Sequence, residues 1–138
     1  MSPRTVFLCK LIGLYCIVAA LAMFARGVAF VDTVALLLHD APLLFLLGVV
    51  TVAAGLALVL THNLWTGGAA AVIVTAVGWL TLAKGVMFLA LPPEGESVFF
   101  LQTLHYREYF HLFAGISLGV GAYLAYSGFG RGSSARLP

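Results

Sequence analysis

Residues 61–93 read THNLWTGGAAAVIVTAVGWLTLAKGVMFLALPP: a polar turn, a long apolar run and a Pro-Pro stop. No formal charge appears between Leu64 and Ala83, and the apolar run resumes after Lys84 as far as Leu91. A bilayer hydrocarbon core of about 30 Å takes roughly 20 such residues in a helix. Soluble core helices are neither this long nor this uniformly apolar. The stretch therefore predicts a transmembrane span over about 64–91 that carries one lysine.

Three further apolar runs flank it, placing spans at about 5–31, 41–60 and 109–129, with a short polar tail over 130–138. The expected fold class is all-α: a four-helix transmembrane bundle forming one integral membrane domain over residues 1–138. Composition agrees, because 62% of residues are hydrophobic and 9% are charged, against roughly 25% charged in a soluble domain. Too little polar surface remains to cover a particle in water, so the lipid bilayer is the first partner. The seven Lys and Arg are scattered rather than clustered, which excludes nucleic acid as a partner.

The first run holds Lys10 near its start and Arg26 near its end, each able to snorkel to its nearer interface. Arg4 followed by an apolar region containing Ala20-Leu21-Ala22 also resembles a signal peptide. Lys10 interrupts that region and the pattern continues past Ala22, which favours a retained span. Residues 32–40 read as a short connector, with Val34 to Leu38 apolar enough to lie in the interface, and Pro42 suits the first turn of the next helix. The longest loop begins at Glu94, and Val98 to Leu104 form a candidate amphipathic surface stretch. Cys9 and Cys16, seven residues apart in one span, read as small apolar fillers.

Lysine and arginine placement sets the expected orientation. Arg4, Lys10, Arg131 and Arg136 share one side, while Arg26 and Arg107 share the other with all five acids. The positive-inside rule then puts both ends in the cytoplasm. A weak repeat is also visible: Gly13 to Phe24 resembles Gly78 to Phe88 with one residue of slippage, and Phe45 to Gly48 resembles Leu112 to Gly115. This layout predicts two tandem helical hairpins of like topology.

Lys84 is the sharpest candidate for chemistry. With the span centred near Leu80 it lies about 6 Å from the midplane, on one stripe with Thr81 and Phe88. An intramembrane ionisable group is a substrate or proton site by default, and a snorkelling structural lysine is the competing reading. His105, Glu108 and His111 form an outer polar stripe at i, i+3 and i+6. Carboxylate di-metal bundles use Glu-x-x-His on two helices with further glutamates. Here the motif occurs once, so no metal and no cofactor is expected, and an interfacial belt with Tyr106 and Tyr109 is favoured.

His62, Asn63 and Trp65 read as an interfacial turn and helix cap. Gly115-Ile-Ser-Leu-Gly119 is a GxxxG pattern, extended by Ser117 with Gly121, and Thr51-x-x-x-Gly55 repeats the spacing in the second run. Small residues at this interval let backbones approach closely, and packing inside the bundle is the expected use. No Gly-x-Ser-x-Gly, Cys-x-x-Cys, P-loop or dinucleotide fingerprint occurs, so no enzyme is expected.

The combination of Lys10-Leu-Ile-Gly13-Leu-Tyr15, His62-Asn63-Leu-Trp65 and Gly78-Trp79-Leu-Thr-Leu-Ala-Lys84-Gly85 resembles a group of small bacterial four-span membrane proteins of unassigned function. The hairpin layout is also similar, more loosely, to the DoxX-like and HdeD-like membrane proteins. The resemblance implies a multi-pass topology in a bacterial inner membrane and a shared role for the turn and the lysine. The function expected is that of a small non-enzymatic accessory, structural or stress-linked component, packed as a homo-oligomer or into a larger membrane complex. The alternatives are a transporter or channel-like protein using Lys84, and a haem- or metal-binding membrane protein.

Overall fold

The structure, a computed structural model, describes residues 1–91 and 108–130, and among these all regular structure is helical. Five helices follow in order: α1 (Pro3–Arg26), α2 (Val28–His39), α3 (Ala41–Thr61), α4 (Ala69–Ala90) and α5 (Phe110–Gly130). The four longer ones are apolar and long enough to cross a bilayer. This is the all-α bundle of four spans expected from the sequence. The Pro92-Pro93 stop, the Val98 to Leu104 stretch, His105, Tyr106, Arg107 and the tail beyond Gly130 lie outside the described residues.

Two boundaries differ from the sequence reading. The first span stops at Arg26 rather than Val31, because Gly27 adopts φ +52° and ψ −131°, a backbone conformation that side-chain-bearing residues avoid. The following residues are then not a connector but a helix, α2. Asp40, expected as a loop acid, instead caps α3, its carboxylate accepting from the Leu43 N–H at 3.0 Å. Pro42 occupies the first turn of α3, where its missing N–H costs nothing. The third span begins at Ala69, because residues 62–68 form a connector that lies along α4.

The spans pack as two tight antiparallel pairs, α1 with α5 and α3 with α4. Glycine makes each pair. A Cβ on Gly55 would lie 2.5 Å from the Leu82 nitrogen, and one on Gly85 would lie 2.6 Å from the Val52 nitrogen. In the other pair, a Cβ on Gly13 would lie 2.6 Å from the Ala125 nitrogen, and one on Gly121 would lie 2.9 Å from the Cys16 Cβ. No real side chain fits such gaps, so the backbones touch. Thr51 and Gly55 therefore pack internally, as their spacing predicts.

Gly115 and Gly119 do not. A Cβ on either would meet nothing within 4 Å. The face of α5 turned to α1 is instead that of Ser117, Gly121 and Gly128, and the Ser117 hydroxyl donates to the Cys16 carbonyl at 3.3 Å. Two residues' offset rotates a helix by about 200°. The GxxxG motif thus points outward, contrary to the internal packing expected of it.

The tight pairs are also not the successive hairpins predicted. Each unit of the sequence repeat contributes one helix to each pair, so the repeats interleave. The matched glycines Gly13 and Gly78 meet matched positions: Gly13 faces Ala125, and Gly78 faces the Leu58 Cβ at 3.1 Å. Leu58 and Ala125 each lie ten residues past the matched glycines Gly48 and Gly115. The register of the repeat is carried into three dimensions.

Apolar contacts join the pairs. Leu8, Cys9 and Ile12 of α1 cluster with Ala70 and Val74 of α4 and with Leu124 of α5. At the far end, α2 acts as a strap about 18 Å long, at 1.5 Å per residue. Its Val31 packs with Met23, Phe110 and Ala114 of the first pair. Its Leu38, two turns on, packs with Leu44 and Phe88 of the second.

These contacts set clear expectations for thermal unfolding in mild detergent. Gly27→Ala adds no clash, since nothing lies within 4 Å of its Cβ position, so it isolates the backbone cost of about 1–3 kcal/mol. Gly55→Ala forces α3 from α4 and lowers the midpoint, whereas Gly115→Ala and Gly119→Ala, which improve helix propensity by about 1 kcal/mol each, do not.

Candidate functional site

The polar side chains that the described bundle buries gather mainly at one end, where Ser2, the connector and Gly130 lie. Thr5, His62 and Thr75 are 2%, 3% and 1% exposed. His62 ends α3, its N–H donating to the Leu58 carbonyl. From there its ring reaches both neighbours. Nε2 lies 3.1 Å from the Thr5 hydroxyl of α1, and Nδ1 lies 3.2 Å from the Thr75 hydroxyl of α4. The imidazole therefore bridges the two helix pairs. The sequence reading of His62 as a turn and cap residue captures its backbone and misses its side chain.

The hydrogen-bond partners fix the proton positions. Thr75 Oγ1 lies 3.0 Å from both the N–H and the carbonyl of Leu64. A carbonyl only accepts, so the single Thr75 hydroxyl proton goes to it. Thr75 Oγ1 must then accept from Leu64 N–H and from His62, which makes Nδ1 a donor. In the neutral ring Nε2 is consequently the acceptor, and it takes the Thr5 hydroxyl proton. Thr5 Oγ1 in turn accepts from the Ser2 hydroxyl at 2.8 Å, while Ser2 Oγ caps α1 by accepting the Thr5 N–H at 3.2 Å. Every member of the chain is satisfied, as a network in a low-dielectric interior requires.

Asn63 beside it makes a second, exposed cluster. Its carbonyl oxygen accepts from the indole N–H of Trp65 at 3.0 Å and of Trp79 at 3.4 Å. Two indole N–H groups thus share one amide oxygen on the exposed side of the connector. Ser2, Thr5, Thr75 and Trp79 are the members that sequence reasoning missed. Of these, only Trp79 carries a signal by residue type.

The other candidates lie apart from this end. Lys84 sits on the outer face of α4 with its Nζ 5.2 Å from the centre of the Phe88 ring, one turn nearer the Ala90 end. Six residues, about 9 Å, separate it from that end, a reach that suits snorkelling. Thr81 donates to the Val77 carbonyl of its own helix at 2.7 Å. Lys10, half-buried, places its Nζ 4.7 Å from the Phe129 ring centre.

Glu108 and His111 are exposed near the start of α5, where the His111 ring meets Phe110 edge-on at 5.4 Å. His39 Nδ1 bonds the Ala35 carbonyl within α2. Among the described residues, no three His, Cys, Asp or Glu side chains come together. Cys9 and Cys16 are free thiols within α1. No protein-family model, curated protein or solved structure matches the chain.

Two measurements test the network. Nitrogen-15 spectra of histidine-labelled protein at neutral pH should show His62 with its proton on Nδ1, the less common tautomer. Thr75→Val removes the partner of Nδ1–H and of both Leu64 backbone groups, and should cost about 1–3 kcal/mol for each group left buried and unsatisfied. Thr75→Ser should restore most of that loss.

Proposed function

We propose that this chain is a small, non-enzymatic accessory or structural component of a bacterial inner membrane, with Ser2 and Gly130 on the cytoplasmic side. One observation carries the reading: the buried polar chain Ser2–Thr5–His62–Thr75 is engaged in holding one helix pair to the other. Its donors and acceptors are matched within the protein, as in a polar link that specifies how helices assemble. Lys84, the strongest candidate for transport, lies on the exposed face of α4, its Nζ 5.2 Å from the centre of the Phe88 ring. Orientation rests on Arg4 and Lys10 at the Ser2 end together with the sequence positions of Arg131 and Arg136.

The outward apolar faces, including Gly115 and Gly119, are where a second copy or a larger membrane complex is expected to pack. Extraction of the tagged protein in gentle detergent, followed by native mass measurement, should return an oligomer or a stoichiometric complex. Lys84→Met should leave insertion and thermal stability undiminished, since the side chain lies on the exposed face of α4. A monomer that drives solute flux in proteoliposomes, with the flux abolished by Lys84→Met, would overturn this reading in favour of transport.

A further inference from the structure

The hydroxyl chain that reaches His62 is polarised. In the neutral state the Ser2 hydroxyl donates to Thr5 and the Thr5 hydroxyl donates to Nε2, so both point inward (2.8 and 3.1 Å). Ser2 is exposed. Its oxygen has two lone pairs, one taken by the Thr5 N–H and one left facing water. On the other side of the ring the chain ends at the Leu64 carbonyl, which has no proton to pass on.

We propose that His62 is a proton-binding site, loaded from the aqueous face at the Ser2 end through the two hydroxyls and closed toward the rest of the bundle. The step balances. A hydronium ion gives its proton to Ser2 Oγ, the former Ser2 proton moves to Thr5 Oγ1, and the former Thr5 proton moves to Nε2. Three O–H bonds break, two O–H bonds and one N–H bond form, and water leaves.

The imidazolium keeps every contact of the neutral ring. Nε2–H now donates to Thr5, Thr5 donates to Ser2, Ser2 donates to water, and Nδ1–H stays on Thr75. Both protonation states are therefore hydrogen-bonded, which is uncommon for a ring 3% exposed. Because the chain stops at Leu64, the site stores a proton and does not conduct one across the membrane. It goes beyond the accessory role proposed above and rests on the same Ser2–Thr5–His62–Thr75 chain that supports that role.

The charged and titratable groups around the site come mostly from α1. They are the Met1 amine, Arg4 and Lys10 as cations, and Cys9 one turn below Thr5 in the apolar cluster. α3, the connector and the adjoining turns of α4 bring no charged side chain, and α5 brings Tyr123 and Tyr126. No acid among the described residues at this end offers the imidazolium a counter-charge. The carbonyls at the end of α3 supply the partial negative charge that faces a cation there.

The experiment follows the ring nitrogens of histidine-labelled protein in nanodiscs from pH 8 to pH 5, with His62→Gln assigning the signal. Nε2 is expected to move from the acceptor to the donor position while Nδ1 remains a donor throughout. Thr5→Val, which keeps the side-chain shape and removes the hydroxyl, should lose that movement, and Thr5→Ser should restore it. Helical circular dichroism and indole emission from Trp65 and Trp79 monitor folding at each pH. Should Thr5→Val fail to fold, Ser2→Ala replaces it and is expected to slow proton exchange at Nε2 at least tenfold. An Nε2 that stays an acceptor across the range in the wild type overturns the proposal. So does an Nε2 that responds equally in Thr5→Val, or exchanges equally fast in Ser2→Ala.

Discussion

In lipid, apolar side chains gain nothing by leaving the solvent, so helices must be held by close packing and by polar contacts that lipid cannot match. The backbone approach at Gly13, Gly121, Gly55 and Gly85 meets the first requirement. Where backbones touch, dispersion contacts multiply along the seam, and no side-chain entropy is lost in making them. The remaining architecture follows from these two seams. They define the pairs, fix which face of each helix is inside, and leave leucine, valine and phenylalanine on the outside, as the exposed Phe7, Leu36, Phe45 and Leu60 illustrate.

The contact between pairs is of a different kind. It relies on side chains: the His62 chain and, next to it, the Leu8, Ile12 and Val74 cluster at one end, and the α2 strap at the other. α2 exists as a separate element because Gly27 turns the chain sharply after Arg26. An unbroken first helix through Val31 would carry Leu38 away from Leu44 and Phe88. The strap and the imidazole thus do one job with opposite chemistries. The strap sits among apolar neighbours, while the imidazole is held by the hydroxyls of Thr5 in α1 and Thr75 in α4.

Much of this was legible in the sequence. Apolar runs of the right length, two of them free of formal charge, marked all four spans, and Pro42 marked the start of α3. The repeat of Gly13 with Gly78 and of Gly48 with Gly115 even contained the contact register, though not the interleaved pairing. What stayed hidden has physical causes. A glycine inside an apolar run is tolerated by a helix, so nothing in the letters separates Gly27, with its positive φ, from Gly13, which is helical. A GxxxG spacing states that close approach is sterically allowed on that face and is silent on which face is used. In α5 the alternative face of Ser117 and Gly121 won. Thr5 and Thr75 look like ordinary threonines in apolar helices, and their meeting through His62 spans 57 and 13 residues of chain.

Rigid pairs joined by a softer seam place any adjustment of this bundle between the pairs rather than within them. Separating α3 from α4 means pulling apart backbones in direct contact, a cooperative loss along the whole seam. Shifting one pair against the other disturbs fewer groups, and the groups at the Ser2 end are hydroxyls that reorient without breaking contact. His62 stands on that boundary, reaching a hydroxyl of each pair. The one imidazole that the described residues bury thus lies at the junction between the helix pairs, where it links a hydroxyl of each.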